Sequence, residues 1–317
     1  MLSTLIQKTI IIKDYPMRYV FILNPVAGKD SRAMKMESRL KQSAENLGID
    51  REIIISKSTE DIISACKSRG ETGENHRIYA LGGDGTLNRV VNGSYGYANI
   101  EIGVFPVGTG NDFIKATGIS AEDYMDIEKQ INGKSAPIDL IRYNGEICVN
   151  ICNMGFDANT AMDMPKFRKL PFVSNHLAYY LSLLYNFLKK WGRYMEVYAD
   201  GELLYNGDTM MCAVGNGISC GGGFYVTPAA KIDDGYIDVS AVSPPEKKKV
   251  FKFVGYYKEG TQLEHEDAMQ YIHYKKCKKV YVKAPKPFAM VNDGDGKYIT
   301  EACYEILPSA IKFIFPQ

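Results

Sequence analysis

From Met17 to about Ser135, short apolar runs alternate with stretches whose apolar residues return at helical spacing. Arg18–Leu23, Glu52–Ser56, Ile78–Leu81 and Ile100–Phe105 read as strands, since each is brief, apolar and bounded by turn residues. A helix is expected from about Ser31, with Leu40, Ala44 and Leu47 on one face and Gly48 as its stop, and a second over Asp61–Ser68. Strands separated by helices predict a doubly wound parallel sheet. Such sheets bind ligands at the carboxyl ends of their strands. Asn24, Gly82–Thr86 and Gly108–Asp112 all fall there.

After about Ala136 the texture changes. Ile138–Arg142, Glu146–Ile151, Tyr194–Ala199, Met210–Val214, Ile237–Val242 and Lys279–Lys283 are short alternating or β-branched runs. Between them stand the turn signals Tyr143-Asn-Gly145, Ala199-Asp-Gly201 and Tyr205-Asn-Gly207. This reads as an antiparallel β-sandwich interrupted by a helix near 177–190. The expected organisation is an α/β domain over residues 17–136 and 305–317, an all-β domain over 137–304, and a cleft between them. Residues 1–16 are expected to be a disordered arm or an upstream start, because Met17 followed by Arg18–Leu23 is the more natural domain start.

Composition removes several classes. Hydrophobic residues make up 45% and charged residues 24% of the 317 positions, ordinary values for a globular protein. A net charge of +1 leaves no electrostatic footprint for nucleic acid, so no nucleic-acid partner is expected. The seven cysteines (Cys66, Cys148, Cys152, Cys212, Cys220, Cys277, Cys303) are odd in number and contain no C-x-x-C, which points to reduced thiols. The four histidines are dispersed. Leu170–Leu188 carries no formal charge over 19 positions, but Pro171, Ser174, Asn175, His176, Ser182 and Asn186 argue against a transmembrane span. Leu177, Leu181, Leu184 and Leu188 recur at helical spacing, as in an amphipathic helix.

The candidate chemistry lies in the glycine-dense turns. Glycine lets a backbone approach a ligand closely, so that its N–H groups can meet phosphate oxygens. The amides of Gly82–Thr86 would cradle phosphate at a helix N-terminus. An aspartate there would repel phosphate unless a divalent cation lay between them, which assigns Mg²⁺ to Asp84. Two such loops close together suggest a magnesium–nucleotide site. The general phosphate signatures are absent: Asn88 stands where G-x-G-x-x-G needs its last glycine, and Glu128 where a P-loop needs its first. Other readings stay open for each motif. Lys29 could be a solvated charge, Gly108–Asp112 a helix cap, Thr59 the cap of the next helix, and Asp293 part of a plain Asp-Gly turn.

Asn24-Pro-Val-Ala-Gly28-Lys29, Gly82-Gly-Asp-Gly-Thr86-Leu-Asn88 and Gly108-Thr-Gly-Asn-Asp112 occur in order, each after an expected strand. With them the chain resembles the diacylglycerol kinase catalytic family, which includes sphingosine kinases and bacterial soluble lipid kinases. The resemblance runs from Met17 onward. Gly215-Asn-Gly217, Gly221-Gly-Gly223, Pro228-Ala-Ala230 and Asp233–Asp238 match the family's second-domain pattern. It implies an NAD-kinase-like nucleotide domain with ATP contacts at Asn24, Pro25, Val26, Ala27, Gly28, Lys29, Thr59, Gly83, Asp84, Gly85, Thr86, Leu87, Asn88, Thr109, Asn111 and Asp112. It places the catalytic base at Asp293. A second Mg²⁺ site is implied at Asp234, with the backbone carbonyls of Lys231 and Tyr236. Asp295 stands where the family carries glutamate, one methylene shorter, which puts its contact with nucleotide or metal in question.

The expected function is therefore an ATP- and Mg²⁺-dependent lipid kinase, with diacylglycerol as leading acceptor and a sphingoid base or other hydroxylated lipid next. NAD kinase is the alternative enzyme, since it shares Gly-Gly-Asp-Gly-Thr, and a catalytically silent lipid- or nucleotide-binding regulator is the alternative outside enzymes. The expected location is cytoplasmic and peripheral at a membrane, where the lipid partner lies; a homodimer is among the expected assemblies. The helix near 177–188, with Tyr179, Tyr180, Tyr185 and Phe187, reads either as core or as a slot for a lipid tail. Lys247-Lys-Lys249 with Phe251 and Phe253 reads either as a solvated charge run or as a contact with an anionic leaflet.

Overall fold

The computed structural model describes residues 16–25, 27, 32–171, 173–189, 191–293 and 295–317. The expected N-terminal arm therefore lies outside the described residues, apart from Pro16. Strands β1 (Arg18–Leu23), β2 (Arg51–Ile55), β3 (His76–Gly82) and β4 (Ile100–Pro106) alternate with helices α1 (Arg32–Leu47), α2 (Thr59–Glu71) and α3 (Asp84–Ser94). They pair in parallel in the order β2-β1-β3-β4. Gly48 ends the expected first helix at φ 63°, a left-handed stop that glycine adopts without strain.

Both faces of this sheet are buried, and the strand period of two sorts its side chains. Val20, Ile22, Ile78, Ala80, Ile102 and Val104 pack against Ile62 and Cys66 of α2 and Leu87, Val90 and Val91 of α3. Phe21, Leu23, Tyr79, Leu81 and Phe105 pack against Ala33, Met36 and Leu40 of α1 on the other face. Helices on both faces are what a parallel sheet requires, and they bring three strand ends to one edge.

Two short helices, α4 (Ala121–Met125) and α5 (Ile127–Asn132), lead into a run of antiparallel strands. These are β5 (Lys134–Tyr143), β6 (Glu146–Cys148), β7 (Ile151–Gly155), β8 (Arg193–Ala199), β9 (Glu202–Thr209), β10 (Met211–Gly215), β11 (Ile237–Val242), β12 (Ile272–Cys277), β13 (Lys279–Asn292) and β14 (Asp295–Phe315). Helices α6 (Phe156–Arg168) and α7 (Asn175–Leu188) lie between β7 and β8, and α8 (Val250–Glu259) follows β11. The strands enclose a second core around Met154, Val214, Val239, Val280, Met290 and Tyr304.

Strand β14 joins the two halves into one connected sheet. Its first part pairs antiparallel with β13 and β5, and its end runs parallel to β4, with Lys312 beside Glu101 and Phe313 beside Ile102. The expected boundaries at 136/137 and 304/305 fall inside β5 and β14. Asp139 of β5 pins the irregularity in β14: its Oδ1 accepts Ser309 N at 2.7 Å, where Ser309 has φ 49°.

Several local expectations change. The run Glu146–Ile151 splits into β6 and β7. Asn144-Gly145 and Asp200-Gly201 are left-handed turns as expected, but Asn206 and Gly207 lie inside β9, where they pair with Glu196 and Met195 of β8. A long cross-strand ladder outweighs the turn preference of an Asn-Gly pair there. All seven cysteines are free thiols. Phe253 is buried in a satellite core beside Tyr257 and Ile272, so it cannot touch a leaflet, whereas Phe251 is exposed.

Candidate active site

The carboxyl ends of β1, β3 and β4 open onto a cleft of about 780 Å³, and its other wall is built from β7, α6, α7 and the β13–β14 turn. The two glycine turns meet on the first wall. A Cβ on Gly108 would lie 2.3 Å from Gly83 Cα and 2.9 Å from Gly83 N, so only glycine permits this approach. Gly83 caps α3 without a side-chain hydrogen bond, so the helix N-terminus at this turn is open to an anion. Asn24 Nδ2 donates to Thr86 Oγ1 at 3.1 Å and ties the end of β1 to the same turn.

Two carboxylates stand beside this cradle. Asp84 Oδ1 accepts Phe113 N at 3.0 Å. Burial, and then the charge of Asp112, push its carboxyl above the usual range, while the Phe113 N–H works the other way. Asp112 pairs with neighbouring Lys115 Nζ and reaches across to the antiparallel half, where it accepts Ser219 Oγ at 3.3 Å and Gly222 N at 2.8 Å. A Cβ on Gly110 would stand 3.0 Å from Asp112 Oδ2 and 3.2 Å from Asp84 Oδ2. Carboxylate oxygens from separate loops thus converge on a space that glycine leaves open; they are hard oxygen donors of the kind a divalent cation takes, though only two side chains supply them and Asp112 is also paired with Lys115.

Asp293 faces them from the far wall. It directly follows β13, whose Asn292 pairs with Asp295 of β14, at φ 41°, a left-handed conformation that aspartate tolerates. The turn reading therefore holds, and the turn lies on the cleft. Its Oδ2 accepts Val149 N at 2.9 Å and Asn150 N at 3.4 Å, and its Oδ1 accepts Ile151 N at 3.3 Å. Burial dominates those bonds and pushes the Asp293 carboxyl up to about 6. Asn88, oriented to satisfy its neighbours, donates to Asp293 Oδ2 and to Ile147 O, each at 3.1 Å.

Of the residues expected at a nucleotide, Asn24, Pro25, Ala27, Thr59, Gly83, Asp84, Gly85, Thr86, Thr109, Asp112 and Asp295 line the cleft. Val26, Gly28 and Lys29 lie outside the described residues. Three others point elsewhere. Leu87 is buried beneath α3, Asn88 serves Asp293, and Asn111 donates its amide to Pro106 O and Gly108 O at 2.9 and 3.0 Å. Thr59 is not the cap of α2: Ser58 is, accepting Asp61 N.

Arg89 was missed at the sequence level. Its Nε donates to Thr59 Oγ1 at 3.1 Å, its Nη1 to Gly85 O at 2.9 Å, and its Nη2 to both Asp295 oxygens at 2.8 and 2.7 Å. The shortened acidic side chain is thus held by an arginine on α3, which fastens the Asp293 turn to the glycine turn. Because Asp295 is 69% exposed, the pair contributes under about 1 kcal/mol. Asp295→Asn should cost no more than that in urea denaturation, and Arg89→Ala more, since it also releases Thr59 and Gly85. Equal costs would show that the arginine acts only through Asp295.

Asp157, in the first turn of α6, was also missed. It lines the cleft near Cys220, whose Sγ lies 3.6 Å from Asp157 Oδ2, and burial raises its carboxyl as well. A Gly-Phe-Asp sequence after a strand carries no pattern that would have marked it.

Of the residues expected at a second Mg²⁺, Asp234 has its carboxylate engaged. Lys276 Nζ binds the Asp234 carboxylate and stands 3.6 Å from Oδ2 of the fully buried Asp238, while Tyr236 N donates to Asp234 Oδ1 at 3.1 Å. Nearby, Asp139 is spent on Gly235 N and Ser309 N. Among the described residues no group of three or more metal-binding side chains forms. An internal ammonium thus neutralises the Asp234 carboxylate in this structure, where the expected site would also draw on the Lys231 and Tyr236 carbonyls. A chelator should leave the wild-type Tm unchanged, whereas Lys276→Met should lower it and make it rise with added Mg²⁺. A wild-type Tm that falls on chelation would return the turn to the metal.

The family model for the diacylglycerol kinase catalytic domain matches residues 18–143, and that for the YegS C-terminal NAD kinase beta sandwich-like domain matches residues 150–315. The chain belongs to the diacylglycerol kinase catalytic-domain family, and so to a family of kinases. It is similar to the diacylglycerol kinase of Bacillus subtilis (strain 168), at 31% identity over 86% of this chain and 88% of that one. It is also similar to a probable lipid kinase YegS-like of Shewanella frigidimarina (strain NCIMB 400), at 30% identity over 76% of each. A crystal structure of a diacylglycerol kinase from Bacillus anthracis str. Sterne shares the fold, with a TM-score of 0.67 at 19% identity over 94% of this chain and 96% of that one.

Proposed function

We propose that the protein is an ATP-dependent lipid kinase that transfers the γ-phosphoryl group to a lipid hydroxyl, with diacylglycerol as acceptor and phosphatidic acid as product. One observation carries this reading: a buried carboxylate poised near 6, Asp293, faces two interlocked glycine turns across a single cleft. Phosphoryl transfer asks a protein for positioning, charge neutralisation and a base. The turn amides of Gly83–Thr86 and Thr109 hold the phosphates. Asp84 and Asp112 would hold Mg²⁺ against them, and that ion would supply neutralisation of phosphate charge. Asp293 takes the proton of the acceptor hydroxyl as its oxygen bonds to the γ-phosphorus. The bond from that phosphorus to the bridging oxygen breaks, and the nucleoside diphosphate leaves.

The names of the Bacillus subtilis and Shewanella relatives support a lipid acceptor. The test is transfer from labelled ATP to micellar diacylglycerol, monoacylglycerol, ceramide and sphingosine, with NAD as control. Label in diacylglycerol supports the full reading, and label in another lipid replaces the acceptor. Label in NAD alone, or none anywhere with ATP still bound, overturns it.

A further inference from the structure

Helix α7 is built inside out. Ala178 and Ser182 are fully buried and Asn186 nearly so. These are small and polar side chains recurring every fourth residue on the face turned to the protein. Ser182 Oγ donates to Thr160 O at 2.7 Å and Asn186 Nδ2 to Asp163 Oδ2 at 3.2 Å, so α6 satisfies that polar face. The opposite face carries Leu177, Tyr180, Leu184 and Leu188, which are 45, 65, 53 and 71% exposed. A helix at a water boundary normally does the reverse.

The apolar surface continues beyond the helix. Phe251, at the start of α8, is 78% exposed, and its ring centroid lies 6.0 Å from that of Phe187 on α7. Cations lie on the segments that flank it. Lys166, Arg168 and Lys169 stand at the end of α6, Lys189 after α7, and Lys247 and Lys248 before α8, all exposed. They outnumber the carboxylates on the same segments, Asp163 and Glu246. Lys247 Nζ lies 5.9 Å from the Phe187 ring and 5.4 Å from the Trp191 ring. In a chain of net charge +1 this is a local basic rim around an apolar face.

We propose that this face, the outward side of α7 with the Lys247–Phe251 corner, docks on an anionic lipid bilayer. The leucines and Phe251 enter the boundary of the acyl chains while the lysines stay among the headgroups. Charge complementarity selects this occupant over a second copy of the chain, because a two-fold contact would set the same cations against each other. The face adjoins the cleft, which Ala158 and Ala161 of α6 and Tyr179 of α7 line. Docking would therefore bring the cleft to the lipid; that consequence rests on the lipid-kinase reading, whereas the docking does not.

The test is co-sedimentation with phosphatidylcholine vesicles with and without phosphatidylglycerol, without nucleotide. Trp191, the single tryptophan, sits beside the face and reports through its emission. Wild type should bind the anionic vesicles with a blue shift, and salt should weaken the binding. The double variant Leu184→Glu, Leu188→Glu should lose at least about tenfold in partitioning, since two exposed leucines no longer leave water. Circular dichroism should be unchanged, because both side chains point outward. On a water-soluble short-chain diacylglycerol the variant should match wild type; on vesicle-borne diacylglycerol it should fall. Vesicle binding with no lipid phosphorylated would uphold docking and remove the kinase reading. Wild type left in the supernatant, a variant that binds equally well, or a dimer in light scattering that the variant splits, would overturn docking.

Discussion

Asp293→Asn is expected to abolish phosphoryl transfer, lowering kcat by about 100- to 10,000-fold, the span typical of a general base. The amide keeps the shape of the carboxylate but cannot take a proton. Nucleotide affinity should change little, because the side chain of Asp293 is held by the amides of Val149, Asn150 and Ile151 and the substitution keeps its size. Titration calorimetry with a non-transferable ATP analogue beside a turnover assay separates the two quantities. Substantial turnover by the variant would remove Asp293 from the chemistry.

The same residue predicts a pH profile. The base works ionised, and burial has raised its carboxyl to about 6, so wild-type kcat should fall about tenfold per unit below that pH and level off above it. The stability consequence has the opposite slope. A carboxyl whose folded value exceeds the ordinary 3.8 binds its proton more tightly when folded. Wild type should therefore lose stability relative to Asp293→Asn as pH rises from about 4 to about 6. Melting curves of the two proteins across that window read it directly, and parallel curves would contradict it.

The second large effect is expected from Gly108→Ala. The added Cβ would lie 2.3 Å from Gly83 Cα, 2.7 Å from Asn111 Oδ1 and 2.9 Å from Gly83 N. Two of these are backbone atoms, so no side chain can swing aside and the turns must part. Overpacking of this kind costs about 1–3 kcal/mol. Placed at the phosphate cradle, that is a loss of about 5- to 150-fold in nucleotide affinity. Gly255→Ala is the control: its Cβ meets nothing within 4 Å inside α8, so binding should be unchanged and the helix slightly firmer. Unaltered nucleotide affinity in Gly108→Ala would mean that the glycine contact is structural only.

The parallel half was legible because its signals are local. β1 falls where its apolar run does, and β3 and β4 within two residues, since a strand buried on both faces must be apolar throughout. The antiparallel half was read in pieces. β9, β12 and β14 were missed because their solvent-facing residues break the alternation, and α6 because Pro165 and scattered polar residues blur its period. Within the site, the glycine turns announced themselves by composition. Arg89 and Asp157 did not, since a lone charged residue on a helix looks like solvent-facing surface until the opposing wall is in place.

What the sequence determined by itself is the order of parts: a parallel α/β unit, strand-end turns dense in glycine with single aspartates, and an Asp-Gly turn far downstream. These follow from short-range chemistry, from side-chain period and from backbone freedom, and each can be read within a window of a few residues. Only the tertiary structure decided what those parts face. It set Asp293 against Asp84 across one cleft, gave the short Asp295 to Arg89, paired Asp234 with Lys276, and turned the leucines of α7 outward. Each depends on residues tens to hundreds of positions apart meeting at fixed distance and burial, and neither distance nor burial is written in local pattern.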